Sequence, residues 1–436
     1  MYLGPKQSHV EKACRARAAW KPDTTLPDNP RDFKTPNYGM ATFGDLFTDR
    51  QLTALATFSD LVGEAIEKIR LEAIQCGLSA DPKPLRDGGT GASAYAEAVA
   101  LYLSFAVSKQ AYLGNSLCRW EPVAQCPRQL FGRQAIPMIW DYAEGNPLGA
   151  SSGSWKVFVE GIAKAFSKSF EAAEASASGT ACQADAMVQA LSTNKVISTD
   201  PPYYDNIGYA DLSDFFYVWL RRSYKNVFPH IFSTLAVPKS NELVATPYRH
   251  GGKESAEAFF LDGMTKSIRR LGELAHGSFP VAIYYAFKQS EKKGNDDVAS
   301  TGWETFLDAI FNSGFAVSGT WPMRTENTSR MIAQETNALA SSIVLVCRRQ
   351  AADAPTVSRR EFVSVLRSEL PPAITDLQRG NIAPVDLAQA AIGPGMSVYT
   401  RYALLLAYCC LAWQIYLAWH RQIRSEERQN ERPNAG

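Results

Sequence analysis

The apolar positions of the first 180 residues repeat at helical spacing in three places. Between Asp49 and Ile74 they fall on one face of a helix, at Leu52, Leu55, Phe58, Val62, Ile66 and Ile69. The same spacing predicts helices from about Ser93 to Ala111 and from Ser154 to about Ala173. Residues 1–45 hold many prolines and few periodic apolar positions, so we expect an extended segment there. Residues 46–180 are therefore predicted to be a mainly helical region.

The pattern changes after a stretch of small residues at Glu174–Cys182, which is the predicted domain boundary. Short apolar runs that suit strands then alternate with helical segments. The predicted strands are Val196–Thr199, Val281–Phe287, Phe315–Trp321 and Ser341–Cys347, and the predicted helices are Asp211–Tyr224, Ser255–Leu274 and Trp303–Asn312. This alternation favours an α/β fold with a largely parallel sheet wrapped by helices. Since no helical pattern separates the last two strands, we expect them to pair antiparallel.

The C-terminal part divides into a helical extension, residues 351–400, and an atypical tail, residues 401–436. Residues 402–419 are almost uninterrupted apolar side chains, which predict a helix before a charged end. The length of this run only reaches the lower limit for a membrane span. We therefore favour a helix on an aberrant terminus over a membrane anchor.

Composition and charge change this picture little. The 436 residues are 46% hydrophobic and 20% charged, which is typical of a soluble globular protein. The net charge of +1 gives no overall basic field, although a local positive groove suffices to bind nucleic acid. The cysteines show no C-x-x-C spacing and the histidines are isolated, so no metal site is predicted. The polar first thirty residues lack a signal sequence, and we expect a cytoplasmic protein.

The chemistry of the chain is predicted to lie in the motif Asp200-Pro201-Pro202-Tyr203, directly after the strand Val196–Thr199. Ligand sites of open α/β sheets lie beyond such carboxyl strand ends. An aromatic amine is a poor nucleophile because its lone pair is delocalised into the ring. The Asp200 carboxylate and the Pro201 carbonyl could accept its two hydrogens and draw the nitrogen toward a tetrahedral geometry.

The remaining motif residues suit the same chemistry. The two prolines fix φ and hold the carbonyl in place. Tyr203 would stack on a base flipped out of a duplex. The alternative interpretation is a proline-rich turn in which Asp200 is a turn or helix-cap residue. Asp205 and Asp211, which lie nearby, are interpreted as turn and helix-cap residues.

The sequence around this motif, from Thr199 to Arg221, resembles a family of large prokaryotic adenine-specific DNA methylases. Those proteins open with a domain of unknown function, and many carry a zinc ribbon. Other stretches similar to the family are Tyr38–Phe47, Asn115–Trp120, Arg133–Trp140, Gly319–Glu326 and Gly380–Gln389. The resemblance spans about residues 25–400. It implies methyl transfer from S-adenosylmethionine to adenine N6 in DNA, in a restriction-modification or phage-defence setting, with Asp200–Tyr203 as the catalytic residues.

The same resemblance implies a donor-binding loop of the type Asp-Pro-Phe-x-Gly-x-Gly, and none precedes Asp200. No predicted strand leads into Gly88-Gly89-Thr90-Gly91 or into Gly393-Pro394-Gly395, so both are interpreted as loops. Residues 181–350 are therefore expected to form the C-terminal half of a Rossmann-like methyltransferase sheet. The chain would be a truncated or split enzyme whose partners are DNA and a missing N-terminal half or companion subunit, with the residues that bind S-adenosylmethionine unknown.

Two other functions stay open. One is methylation of guanine N2 in RNA, which uses the same motif chemistry, and the other is a catalytically silent fragment that binds DNA or a partner subunit. Candidate DNA contacts in the helical region are Arg119, Arg128 and Arg133, among the aromatic residues Trp120, Phe131 and Trp140. Arg324 and Arg330 flank a polar segment that could reach phosphates. The simpler interpretations are core aromatics and solvated loop residues.

Overall fold

The computed structural model describes residues 4–171, 179–204, 207–285, 301–324, 341–379, 393–402 and 404–406. These residues form a mixed α/β protein of two compact units. The first unit comprises Met1–Thr180 and Gly208–Glu242, and the second comprises Ala181–Ile207 and Leu243–Gly436. The predicted catalytic half, residues 181–350, is thus interrupted by a segment that belongs to the first unit.

The helices of the first unit are α1 (Gln7–Arg15), α2 (Asp49–Gln75), α3 (Ala92–Leu113), α4 (Trp155–Glu171) and α5 (Tyr209–Tyr224), and its strands are β1 (Trp120–Glu121) and β2 (Cys126–Pro127). The second unit has the strands β3 (Ser198–Thr199), β4 (Val281–Tyr285), β5 (Phe315–Arg324), β6 (Ser341–Arg349), β7 (Thr356–Ser358) and β8 (Leu404–Leu406). Its helices are α6 (Pro247–His250), α7 (Lys253–Leu274), α8 (Thr301–Asn312) and α9 (Arg359–Arg379). Residues 393–399 are also helical. All six helices predicted from apolar spacing are therefore confirmed.

Helix α1 corrects the prediction that residues 1–45 are extended. It begins at Gln7, ends at Arg15 and buries no residue. Pro5 and Pro22 flank a proline-free stretch that contains it, so no residue in that stretch prevents the backbone from closing helical hydrogen bonds. Its apolar residues Val10, Ala13 and Cys14 form only a short face that is not buried, and the helix was therefore missed.

Helix α5 supplies the aromatic centre of the first unit. Phe215 and Trp219 are almost fully buried, and both rings pack on Phe47, with ring centroids 5.9 and 5.5 Å away. Such close aromatic pairs add to the free energy gained from burial. The Tyr224 hydroxyl donates to the carbonyl of Glu97 on α3. The helix that follows the motif Asp200–Tyr203 in the chain therefore belongs to the helical core of the first unit.

The main sheet of the second unit has the order β3-β4-β6-β5. Strand β3 pairs in parallel with β4, whereas β6 pairs antiparallel with both β4 and β5. Three strands thus run in one direction and β6 runs in the other. The predicted antiparallel pairing of the last two strands is confirmed, but the sheet is mixed rather than largely parallel. The sheet is mixed because β6 inserts between β4 and β5 and is antiparallel to both.

Helices α7 and α8 pack on this sheet, and their apolar side chains form a core with those of the strands. Alternate residues of β4, at Val281, Ile283 and Tyr285, are buried, as expected of a strand that packs one face on helices. They belong to one cluster with the helix residues Phe260, Met264, Ile268, Phe306 and Ile310. Gly314 follows α8 with a φ of +80°, the left-handed conformation that glycine commonly adopts just after the end of a helix.

The C-terminal residues correct a second prediction. Leu404–Leu406 form β8, which pairs in parallel with β7, where the apolar run 402–419 predicted a helix. Periodicity alone does not separate a short apolar strand from a helix, and residues 407–419 lie outside the described part of the chain. Gly380–Gln389, one of the stretches similar to the methylase family, also lies outside it. No helix in the described ranges is long and apolar enough to cross a membrane.

Substitution by alanine is predicted to have opposite effects on stability at two glycines of the first unit. A Cβ on Gly89 would lie 2.0 Å from the Lys83 carbonyl oxygen, whereas a Cβ on Gly161, inside α4, would meet nothing within 4 Å. Gly89→Ala is expected to lower the free energy of unfolding by about 1–3 kcal/mol. Gly161→Ala is expected to raise it by up to about 1 kcal/mol through helix propensity. Urea unfolding of both variants tests this, and equal midpoints would contradict the close backbone contact.

Candidate functional site

The predicted motif lies at the carboxyl end of β3. Parallel pairing of Ser198 with Ala282 and of Thr199 with Ile283 places the start of the motif beside the last residues of β4. Asp200 follows β3 directly, and Tyr285 ends β4. The two strand ends therefore meet at one edge of the sheet, where ligand sites of α/β proteins form.

A hydrogen bond joins the first and last residues of the motif. The Tyr203 hydroxyl donates to Asp200 Oδ1 over 2.7 Å. Asp200 is exposed, whereas Pro201, Pro202 and Tyr203 are half-buried. The carboxylate is thus turned toward solvent and oriented by a phenol that is itself part of the motif. The described contacts do not support a helix-cap role for Asp200, because the N-cap of α5 is Gly208.

Two buried rings support Tyr203 from the sheet side. The Tyr203 ring meets Tyr285 edge-to-face, with centroids 5.2 Å apart, and Tyr285 stacks on Phe306 of α8 at 3.8 Å. Burial raises the pKa of Tyr285 well above its ordinary value. The neighbouring Tyr203 phenol raises this pKa further, and a hydrogen bond with the Tyr204 backbone opposes the rise. Tyr285 is therefore a neutral phenol at physiological pH, and the wall behind Tyr203 is uncharged.

Tyr204 points away from its neighbour and was not identified from the sequence. Its hydroxyl donates to Glu257 Oε1 over 2.7 Å, and its ring packs on Phe260, with centroids 5.4 Å apart. Its carbonyl accepts a hydrogen bond from the amide of Ala245 over 3.0 Å. Glu257 lies far along the chain on α7, so no local spacing could indicate this contact.

The site combines three features that suit a planar amine. An exposed carboxylate can accept a hydrogen bond, the next residue in the chain carries a backbone carbonyl, and an aromatic ring lies at the same strand end. Hydrogen bonds to a carboxylate are stronger than neutral ones, and base stacking on an aromatic ring is favourable for every base. The arrangement suits a nucleobase amino group better than an isolated ion.

The two glycine clusters are explained by packing. Gly91 is the N-cap of α3, and the short 3-10 turn Leu85–Asp87, not a strand, precedes the first cluster. A Cβ on Gly91 would lie 2.8 Å from the Asp81 Cβ, and a Cβ on Gly393 would lie 1.7 Å from the Thr320 hydroxyl. The first cluster therefore fits its interpretation as a loop and lacks the strand of a donor site. Gly393-Pro394-Gly395 instead begins the helical residues 393–399, so its interpretation as a loop is wrong.

The aromatic residues proposed for DNA contact separate into two groups. Phe131 packs on Tyr112 and Phe215 in the first unit, as a core residue does. Trp120 and Trp140, in contrast, are 46% and 75% exposed. The core interpretation is therefore right for Phe131 and wrong for the two tryptophans.

The arginines near these tryptophans are exposed. Arg119 and Arg128 both lie close to the Glu121 carboxylate, at 3.0 and 3.9 Å, while Arg133 is exposed. Such exposed pairs contribute little to stability. Arg324 ends β5, and Arg330 lies outside the described residues.

Of the two aspartates after the motif, only Asp211 is described, and it belongs to the core of the first unit. Asp205 lies outside the described residues. Asp211 is fully buried in the first turn of α5 and accepts a hydrogen bond from Asn29 Nδ2 over 3.0 Å, so its interpretation as a helix cap is wrong. Asp214, one turn later, pairs with Lys239 at 2.6 Å, and burial raises its pKa against the opposing effect of Lys239. Both carboxylates hold the first unit together.

Comparison with known proteins assigns the chain to no family. The chain matches no protein-family model, and neither a curated protein nor a solved structure is significantly similar to it. Within the described ranges, no group of three or more His, Cys, Asp or Glu side chains could hold a metal ion. The functional argument therefore rests on the motif and its surroundings.

Removal of the inner ring of the site should destabilise the second unit. Phe306 is fully buried under Tyr285, so Phe306→Ala is expected to lower the free energy of unfolding by about 3–5 kcal/mol. The near-ultraviolet circular dichroism should weaken as the stack with Tyr285 is lost. Phe279→Ala is a matched control, because Phe279 is 51% exposed and should cost less than about 1 kcal/mol. Equal losses in the two variants would contradict the central position of the stack.

Proposed function

We propose that this chain supplies the amine-binding part of a DNA methyltransferase that modifies N6 of adenine. One observation carries the proposal: the Asp200-Pro201-Pro202-Tyr203 motif lies at the carboxyl end of β3, with its carboxylate exposed and oriented by Tyr203. The restriction or phage-defence setting and the cytoplasmic location stay predictions from the resemblance and from composition.

The topology of the sheet supports this proposal. In the order β3-β4-β6-β5, strand β6 lies between β4 and β5 and runs antiparallel to both. We expect this order in the C-terminal half of a Rossmann-like methyltransferase sheet, with the catalytic motif on its first strand. Because β3, β4 and β5 share one direction, their carboxyl ends form the single edge at which Asp200 lies.

The residues of the motif would act on the amine as follows. One N–H of the adenine amino group donates to the Asp200 carboxylate and the other donates to the Pro201 carbonyl. The nitrogen lone pair is then less delocalised into the ring and can attack an electrophilic carbon. The Tyr203 ring stacks on the base, while its hydroxyl keeps the carboxylate turned toward the amine. As the new N–C bond forms, the bond between the methyl carbon and the sulfonium sulfur would break and leave a neutral thioether, and one amine proton would leave through the Asp200 carboxylate to water.

S-adenosylmethionine would supply an activated methyl group on a sulfonium. The described residues do not fit its expected glycine-loop site, because both glycine clusters are packed against other parts of the chain. Among the described residues β3 pairs only with β4 and is an edge strand of the sheet. Further strands of a methyltransferase sheet would add at this edge, so we propose that another polypeptide segment or a companion subunit carries the donor site.

The first unit offers a surface for DNA. Trp140 is 75% exposed and meets the ring of Tyr38, itself 53% exposed, with centroids 5.0 Å apart. Arg133, a few residues before Trp140, is exposed as well. Exposed aromatic rings with nearby arginines can stack on bases and contact phosphates. We propose that the Trp140–Tyr38 pair contacts DNA.

Substitution of Asp200 in the cells that make this protein tests the proposed reaction with any companion subunit present. Asp200→Ala removes the acceptor of one amine hydrogen, and N6-methyladenine at the sites that depend on this chain should fall by at least about a hundredfold. Mass spectrometry of nucleosides from genomic DNA, with single-molecule sequencing to locate the sites, measures the change.

The control for this experiment is Asp262→Ala, which removes an exposed carboxylate on α7 and should leave methylation unchanged. Unchanged N6-methyladenine in Asp200→Ala would refute the proposed function. Loss of N2-methylguanosine from RNA instead would support the alternative on guanine. If no methylated nucleoside depends on the chain, that result would support the alternative of a catalytically silent protein.

The proposed DNA surface gives a separate prediction. Trp140→Ala should weaken binding of the purified chain to duplex DNA by about fivefold to a hundredfold, the loss expected for one stacking contact. Tyr95→Ala is the control, because Tyr95 is 50% exposed on α3, well away from the motif in the sequence. Fluorescence anisotropy at fixed salt measures both affinities. Equal binding by the two variants would exclude Trp140 as a DNA contact.

A further inference from the structure

We infer that Tyr204 and Glu257 anchor the catalytic motif to α7, and that Glu257 is a positioning residue for the reaction. The inference rests on the proposed function, but it concerns residues outside the four-residue motif. Neither side chain is proposed to touch the adenine or the methyl donor. Their role is to hold Asp200 where the amine meets it.

The backbone at Tyr204 needs an external support. Its φ is +38°, a left-handed conformation that a bulky L-residue rarely adopts. Such a conformation persists where the surrounding structure fixes it from several sides. Tyr204 is held through its carbonyl by the Ala245 amide, through its ring by Phe260 and through its hydroxyl by Glu257. These three contacts involve different parts of the residue and different neighbours.

This unusual backbone separates two adjacent tyrosines. The Tyr203 ring lies against Tyr285, and the Tyr204 ring lies against Phe260. Tyr203 therefore stays at the strand end beside Asp200, while Tyr204 enters the side of the unit that α7 covers. Of these two consecutive tyrosines, Tyr203 thus forms part of the site and Tyr204 holds the segment in place.

Glu257 is well placed to be the fixed end of the anchor. It lies on α7, whose next turn carries Phe260, a fully buried member of the core. Lys253, one turn earlier, lies 3.7 Å from Glu257 Oε1 and supplies a positive charge beside the carboxylate. A hydrogen bond from a phenol to a carboxylate is stronger than one between neutral groups. The anchor therefore connects the motif to a helix that the core holds in place.

The same helix also braces the segment that enters the motif. The amide of Asn194 donates to the carbonyl of Leu274, the last residue of α7, and the amide of His276 donates to the carbonyl of Lys195. One end of α7 thus fixes the chain before Asp200, and the other end fixes the chain after Tyr203. Loss of the Tyr204–Glu257 contact would therefore weaken the support after Tyr203 and leave the support before Asp200 in place.

Four variants test the anchor in the holoenzyme, the chain together with any companion subunit. Tyr204→Phe removes only the hydroxyl, Glu257→Ala removes its acceptor, and Glu257→Gln keeps an oxygen that can accept. We expect kcat for adenine methylation to fall about tenfold to a hundredfold in the first two, because small misplacements of reacting groups have effects of this size. The KM for DNA should change by less than about threefold, since the lost interaction acts in the transition state.

Coupling and rescue separate an anchor from a general loss of stability. The double variant Tyr204→Phe/Glu257→Ala should be no slower than either single variant, because both changes break one contact. Glu257→Gln should retain most of the wild-type kcat. Asp262→Ala breaks the exposed pair with Lys266 on the same helix and should have no effect. Additive losses in the double variant, or a wild-type kcat in Tyr204→Phe, would overturn the inference.

A second measurement does not require methyl transfer. Hydrogen–deuterium exchange of peptides that cover residues 200–204 should be faster in Tyr204→Phe and in Glu257→Ala than in wild type, and unchanged in Asp262→Ala. Unchanged exchange in both anchor variants would refute the anchor even if the enzyme is inactive. Methylation that survives Asp200→Ala would refute the proposed function instead, and the exchange result would still decide whether Glu257 holds the segment.

Discussion

Two parallel residue pairs, Ser198 with Ala282 and Thr199 with Ile283, determine where the proposed chemistry of this chain lies. Strand β3 is only these two residues long, and such a short strand adds little stability by itself. Because side chains alternate along a strand, a shift of one residue in this pairing would turn the strand residues to the opposite faces of the sheet. The position of Asp200 at the strand end depends on this register.

The neighbours of β3 hold this register. The amide of Ala282 donates to the carbonyl of Ile197, and the end of α7 bonds to the chain at Asn194. The helix has 22 residues and so extends about 33 Å. A rigid element of this length can bond to the chain on both sides of the motif while Phe260 and Met264 fix it in the core. The short strand is therefore held both by its pairing with β4 and by a long helix that bonds to the chain on either side of it.

Apolar spacing predicted the elements well because each of them packs one face on a core. The helices α2, α3, α5, α7 and α8 and the strands β4, β5 and β6 were found close to their expected bounds. Elements without such a face were missed, as α1 shows, and the strand β8 was taken for a helix. The sheet order could not be predicted from the sequence, because the position of β6 between β4 and β5 depends on pairing between residues that are distant in the chain.

The candidate site was predictable only in part for the same reason. Asp200 and Tyr203 lie three positions apart in one short motif that predicts a particular chemistry, so local sequence was sufficient to select them. Tyr285 contacts Tyr203, Phe306 packs behind Tyr285, and Glu257 bonds to the residue after the motif. All three come close through tertiary packing, and each looks like an ordinary core or surface residue in its own segment. Exposure of Trp140 was mispredicted because aromatic residues are more often buried than exposed.

The division of the chain explains why the support at Tyr204 is needed. Directly after the motif the chain leaves the second unit for the segment Gly208–Glu242, and it returns at Leu243. The hydrogen bond from the Ala245 amide to the Tyr204 carbonyl joins the point of exit to the point of return. A segment inserted between two points that are held close together is tolerated without distortion of its host. The contacts of Tyr204 with Ala245 and Glu257 therefore close the base of the insertion within the second unit, next to the residue that carries the proposed carboxylate.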